Sequence, residues 1–146
     1  MLKIMADDNS DIAVNTRAKC LAGLPDAEMK AKVWAEICDT KSKESFYLRS
    51  AEIQGFYSWE QLDIISPYFD KFYEVLPELS QKSPHRYFQT FFYSLLPTMQ
   101  IADNHIVKLV SLKANTADQN KNFSSTLQDG IEVLIRCMEV RQFAKL

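Results

Sequence analysis

Three glycines, Gly23, Gly55 and Gly130, serve a chain of 146 residues. Average usage, roughly 7 per cent, would place about ten. Glycine supplies the positive-φ turns that join strands, so a chain this poor in it lacks the material for a sheet-rich fold. The expectation is an all-α protein. The five prolines, Pro25, Pro67, Pro77, Pro84 and Pro97, stand at intervals that suit helix ends. The length suits one domain with a core of its own, and no linker divides residues 1–146.

The best-marked helix covers Leu24 to Asp39. Pro25 fits its first position, where a missing N–H costs nothing, and Asp26 and Glu28 place negative charge in the first turn. Ala27, Ala31, Trp34 and Cys38 form one stripe, which Val33 and Ile37 widen into a face to be buried. A helix from Ser10, a good N-cap, to Leu21 or Ala22 precedes it, with Ile12, Val14, Ala18 and Leu21 as its apolar side. Gly23 ends that helix, and so short a link makes the two antiparallel neighbours.

A third helix follows over about Ser45 to Tyr57, with Phe46, Leu48, Ala51 and Ile53 as candidate core. From Trp59 to Pro77, Leu62, Ile65, Phe69, Phe72 and Leu76 recur at threes and fours. Pro67 either kinks one long helix or opens a second one capped by Ser66; the unbroken apolar phase favours a kink. Ser83-Pro84 then starts a helix over Tyr87 to Leu96. Its pattern, Y-F-x-x-F-aromatic-x-x-L, repeats that of Tyr68 to Leu76 nineteen residues earlier, each closely followed by proline. Such a repeat points to stacked, related helices. Asp103 or Asn104 caps an apolar helix over Ile106 to Leu112. A polar loop from Asn115 to Lys121 leads to the longest helix, whose stripe is Phe123, Leu127, Ile131, Leu134 and Met138. Gly130 there permits one close contact. Arg136, Arg141 and Lys145 bring positive charge toward its C-terminus. Seven or eight helices are expected.

Net charge is −2 with both signs mixed, which leaves no basic footprint for nucleic acid. No run of eighteen apolar residues is present, so no membrane span is expected. Met1 to Asp11 has no apolar h-region and is no signal peptide. Leu2, Ile4 and Met5 resemble the tail of an earlier helix, and the chain is expected to begin partway through a larger protein. Cys20, Cys38 and Cys137 make no disulfide framework or zinc knuckle; buried reduced thiols are expected, as in a cytoplasmic protein. Asn122-Phe123-Ser124 matches a glycosylation sequon only formally.

Leu24, Pro25, Asp26, Ala27, Glu28, Lys30 and Trp34 form the run L-P-D-A-E-x-K-x-x-x-W. It resembles the helix that opens the C-terminal helical domain of zinc aminopeptidases of the aminopeptidase N family. A second block is similar to the same domain: Gly55-Phe56, Gln61, Pro67-Tyr68, Phe72-Tyr73 and Leu76-Pro77. The ending, Leu127 to Arg141, is similar to the family's arginine-bearing final helix, from which Gly130 and Ile131 depart. The likeness covers most of residues 10–143 and is loose from Ser94 to Lys121.

The resemblance implies antiparallel helix pairs in an irregular superhelix of HEAT or armadillo type, closing over a catalytic domain of the same polypeptide. It implies a parent that removes N-terminal residues from peptides with a zinc ion held in that other domain. The signature for this chemistry is H-E-x-x-H, with two histidines one turn apart on zinc and a glutamate activating water. Here His85 and His105 stand twenty residues apart without such a glutamate. Both read as surface or capping histidines. No cofactor is therefore expected in this chain, and a role as non-catalytic cap is. Arg86, Arg136 and Arg141 are candidates to meet a peptide carboxylate in the closed parent, against a plain reading as surface salt bridges.

Other constellations read as structural. Asp7 with Asp8, and Asp26 with Glu28, are solvated helix-start charges rather than acid–base pairs. The clusters Phe56-Tyr57-Trp59, Phe69-Phe72-Tyr73 and Phe88-Phe91-Phe92-Tyr93 lack the interleaved cations of a base-stacking platform and read as core. Seventeen aromatics exceed what one layer of hairpins hides, so some are expected on a docking face, with weak self-association of the isolated chain. A free-standing helical-repeat interaction module is the alternative.

Overall fold

A computed structural model describes residues 10–100, 102–116 and 120–144. Among the described residues, seven α-helices and one 3₁₀ turn account for the regular structure, and no strand occurs. They are α1 (Asp11–Ala22), α2 (Ala27–Cys38), α3 (Phe46–Phe56), the turn Trp59–Gln61, α4 (Leu62–Lys82), α5 (His85–Leu95), α6 (Asp103–Thr116) and α7 (Lys121–Ala144). Two compact units are formed, one up to Leu95 and the other from Leu96. The suggested earlier helix at Leu2, Ile4 and Met5, the Asp7-Asp8 pair and Lys145 lie outside the described residues.

In the first unit alternate helices are neighbours: α1 packs on α3 and α3 on α5, while α2 contacts α4. The core is aromatic. Trp34 of α2 sits 5.5 Å from the Phe56 ring, 5.1 Å from Tyr68 and 5.9 Å from Phe91. Phe72 of α4 stacks on Phe91 of α5 at 5.9 Å with the planes 7° apart. Tilted and stacked pairs of this kind add about 0.5–1.5 kcal/mol each beyond the area they bury. All five positions of each repeat, Tyr68, Phe69, Phe72, Tyr73 and Leu76 and then Tyr87, Phe88, Phe91, Phe92 and Leu95, are buried. α4 runs through both Pro67 and Pro77, so neither proline ends a helix.

Several helix faces differ from the sequence reading. α2 starts two residues after Pro25, because Asp26 accepts from Met29 N–H at 2.7 Å and is the N-cap. Its buried face is Lys30, Val33, Trp34 and Ile37, while Ala27 and Ala31 are exposed. A lysine stands where alanine was expected to pack. On α1, Ile12 is 80% exposed and Val14 and Leu21 are 38% exposed; Ala13 and Ala22 are buried instead. At the Ala22 end, a small residue faces inward because α1 and α3 approach closely at Gly55. A Cβ there would lie 2.1 Å from the Lys19 carbonyl oxygen and 3.1 Å from the Ala22 Cβ. Gly55 is required for space, since no described glycine has a positive φ.

The second unit is a hairpin of α6 and α7. Asn120 caps α7 by accepting from Phe123 N–H at 3.1 Å. Phe123, Leu127, Ile131 and Leu134 are buried, with Leu109 and His105 of α6. His105 is thus a buried side chain at 5% exposure, not the surface histidine its position suggested. His85 opens α5 and is exposed.

Candidate functional site

Helix C-termini leave carbonyls without intrahelical partners, and a glycine in the left-handed conformation is the common remedy. This chain has no such glycine among the described residues. Long cations on neighbouring elements do the work instead. Lys30, in the first turn of α2, is fully buried and donates to Ala22 O and Phe56 O, both at 2.6 Å. Those are the last residues of α1 and α3, so one ammonium answers two helix ends where partial negative charge collects. It also stands 5.2 Å from the centre of the Phe56 ring. Burial pushes its pKa down to about 8, which leaves it charged at neutral pH.

Arg49 of α3 does the same for α2. Its Nη2 donates to the carbonyls of Glu36, Ile37 and Asp39 at 3.3, 3.0 and 2.8 Å. Tyr87 of α5 adds its hydroxyl to Ile37 O at 2.6 Å, and its ring lies under the guanidinium at 4.0 Å. Burial raises the Tyr87 phenol well above its ordinary range, against the pull of Arg49. Gln61 closes the cluster by donating from Nε2 to Gly23 O at 2.9 Å.

Beside this cluster two cavities share a wall. One, of about 270 Å³, is lined by Glu36, Asp39, Glu44, Leu48, Arg49 and Glu52 among others. The other, of about 260 Å³, is more apolar and includes Val14, Arg17, Met29 and Lys32. Glu36, Leu48 and Glu52 line both. The Glu52 carboxyl is pushed up to about 7, first by burial and then by the charge and hydrogen bond of Glu36; Arg49 acts the other way. A third cavity of about 360 Å³ crosses α1, α3 and α5 at Asn15, Tyr47, Ser50, Gln54 and Thr90.

The three candidate arginines are held in different ways. Arg86, in the first unit, lies 4.4 Å over the Phe46 ring. Arg136 forms an exposed ion pair with Glu132 at 3.7 Å, and Arg141 donates to Thr98 O and Met99 O at 3.0 and 2.7 Å. Arg136 and Arg141 line one open cavity of about 290 Å³ with Thr98, Cys137 and Val140. Arg141 is thus used as a loop anchor, a role its position in the last turns of α7 did not suggest.

All three cysteines are free, with Cys20 exposed rather than buried. Burial raises the Cys38 thiol to about 12, far from the thiolate a nucleophile needs. No group of three His, Cys, Asp or Glu among the described residues could hold a metal ion. No helix among the described residues is long and apolar enough to cross a membrane. Of the aromatics, Tyr47, Trp59, Tyr93 and Phe143 are exposed. Apolar periodicity alone passes over Lys30 and Arg49, because it tracks only apolar side chains. The signal was present: Lys30 falls between Val33, Trp34 and Ile37 on the helical wheel.

Compared with known proteins, the sequence matches no family model and no curated protein.

Proposed function

We propose that this chain is a non-catalytic helical domain of a zinc aminopeptidase, which helps to enclose the peptide channel over a catalytic domain of the same polypeptide. One observation carries the reading. The two separate sequence blocks that resemble the family meet at a single place in the fold. Lys30 of the first block donates to Phe56 O of the second, and Trp34 of the first packs on Phe56 and Tyr68 of the second. Asp26 caps the helix that carries both Lys30 and Trp34. Residues so interdependent define a folding unit rather than a reacting centre. Zinc and general-base chemistry then belong to the other domain, and Arg86, Arg136 and Arg141 remain candidates for contact with a peptide carboxylate. A HEAT-like superhelix is the arrangement this reading expects.

The alternative, a free-standing interaction module, draws on the exposed Tyr47, Trp59 and Tyr93 of the first unit. Sequencing the transcript upstream of the Met1 codon separates the two. An in-frame H-E-x-x-H, with zinc-dependent hydrolysis of aminoacyl anilides by the full product and none by residues 1–146, is the expected result. A frame without that signature overturns the proposal and leaves the module.

A further inference from the structure

The cavity of about 360 Å³ that crosses α1, α3 and α5 has no charged side chain in its wall. Two amides, Asn15 and Gln54, two hydroxyls, Ser50 and Thr90, and the rings of Phe46 and Tyr47 border it. Part of this hydrogen-bonding capacity is unused. Ser50 is 7% exposed, yet its buried hydroxyl has no hydrogen-bond partner. Thr16, Thr90, Thr116 and Thr126 each donate to the carbonyl four residues back in their helices, a bond that Ser50 does not make. A buried hydroxyl left alone carries its full desolvation penalty, so it marks a place for a bound partner. Gln54 accepts from Lys19 through Oε1 at 3.5 Å, which leaves Nε2 to donate. Thr90 gives its proton to Arg86 O at 3.0 Å and keeps its lone pairs.

We propose that this cavity binds one uncharged sugar ring. A pyranose joins an edge of hydroxyls, each both donor and acceptor, to a flat face of C–H groups. The edge suits the amides and hydroxyls of the wall, and the Ser50 hydroxyl rotates to meet whichever group reaches it. The face suits Tyr47, whose ring is 66% exposed and meets Phe46 edge-on at 5.6 Å. An ion would leave water for a wall without a counter-charge. The two cations that touch the lining are engaged, Lys19 on Gln54 and Arg86 over the Phe46 ring at 4.4 Å. A wholly apolar ligand would strip water from four polar side chains and give nothing back. The volume stands at the small end of ligand pockets, which fits a single ring. Such a site lies within the first unit and stands whether or not a catalytic domain is attached.

Titration of the nitrogen-15-labelled full chain with glucose, its methyl β-glycoside and N-acetylglucosamine is the test. The side-chain amide signals of Asn15 and Gln54, identified with Asn15→Ala and Gln54→Ala, should shift saturably, with a dissociation constant on the order of millimolar. Tyr47→Ala removes an exposed ring and should weaken the sugar about tenfold. Ser50→Ala should weaken it about fivefold and leave the denaturation midpoint unchanged or higher, since its hydroxyl has no protein partner to lose. Binding of the methyl glycoside supports a ring carried on a glycan, and binding of the free sugars alone supports a free one. No saturable shift with any of the three up to about 100 mM overturns the site. So does a shift produced by glucuronate or inorganic phosphate and not by the neutral sugars, or one that Tyr47→Ala leaves unchanged. If Ser50→Ala does not fold, the titrations of wild type and Tyr47→Ala decide the matter.

Discussion

Fifteen of the 17 aromatic residues lie before residue 96, and only Phe123 and Phe143 lie after it. The first unit therefore fixes its helices with rings, whose tilted and stacked contacts are directional. The hairpin of α6 and α7 relies on a line of aliphatic side chains, Leu109, Leu127, Ile131 and Leu134, around Phe123. The two regions also treat helix ends differently. Lys30 and Arg49 serve carbonyls from buried positions, whereas Arg141 reaches Thr98 and Met99 from an exposed one. A core with oriented rings and buried cations specifies one packing more tightly than a two-helix seam, since any slip strands a charge or separates a ring pair.

That contrast can be broken or sharpened by substitution, read by chemical denaturation. Phe72→Ala should cost about 3–5 kcal/mol, because Phe72 is fully buried among Tyr73, Phe91 and Phe92. Leu127→Ala in the hairpin should cost less; a larger loss there would break the comparison. Gly55→Ala should follow at about 3 kcal/mol, since the new methyl meets backbone of α1 rather than a movable side chain.

Lys30→Met should cost about 2 kcal/mol, mostly from two buried carbonyls left without a donor. Its pH dependence carries a sign. The folded ammonium titrates near 8, below its ordinary 10.5, so the unfolded chain binds more protons between those values. Wild type should therefore gain stability relative to Lys30→Met as pH rises through that window. Tyr87→Phe should cost about 1 kcal/mol or less, because Arg49 still serves Ile37 O. Arg141→Ala is the smallest, about 0.5 kcal/mol, as an exposed cap is screened by water. A loss for Arg141→Ala as large as that for Lys30→Met would erase the distinction between the two kinds of cap.

Much of the architecture was legible in the residues. Scarce glycine implied helices, Ser10 caps α1 where the sequence placed it, and the two Y-F-x-x-F-aromatic-x-x-L runs bury matching faces. The failures have physical causes. The apolar side of α1 was read as Ile12, Val14, Ala18 and Leu21, but the close approach at Gly55 sets Ala22 against α3, and Ala13 and Ala22 are the buried residues. α6 runs from Asp103 to Thr116, beyond its apolar stretch, because polar residues extend a helix whose buried residues are His105 and Leu109. Glu36 and Glu52 lie sixteen residues apart, and nothing in their local sequence shows that they line the same cavities. Such pairs arise from the packing of helices, which periodicity describes one at a time.

Lys30 has a practical consequence for anyone who treats this protein with an amine-reactive reagent. Lys32, Lys41, Lys43 and Lys71 are exposed and should be acylated on mixing. Lys30 has no exposed surface, and its nitrogen is engaged by two carbonyls. It can react only after α2 has parted from the ends of α1 and α3. The rate at which mass accumulates on the peptide carrying residue 30 is then an internal clock for that separation, and it runs in the unmodified chain without an added probe.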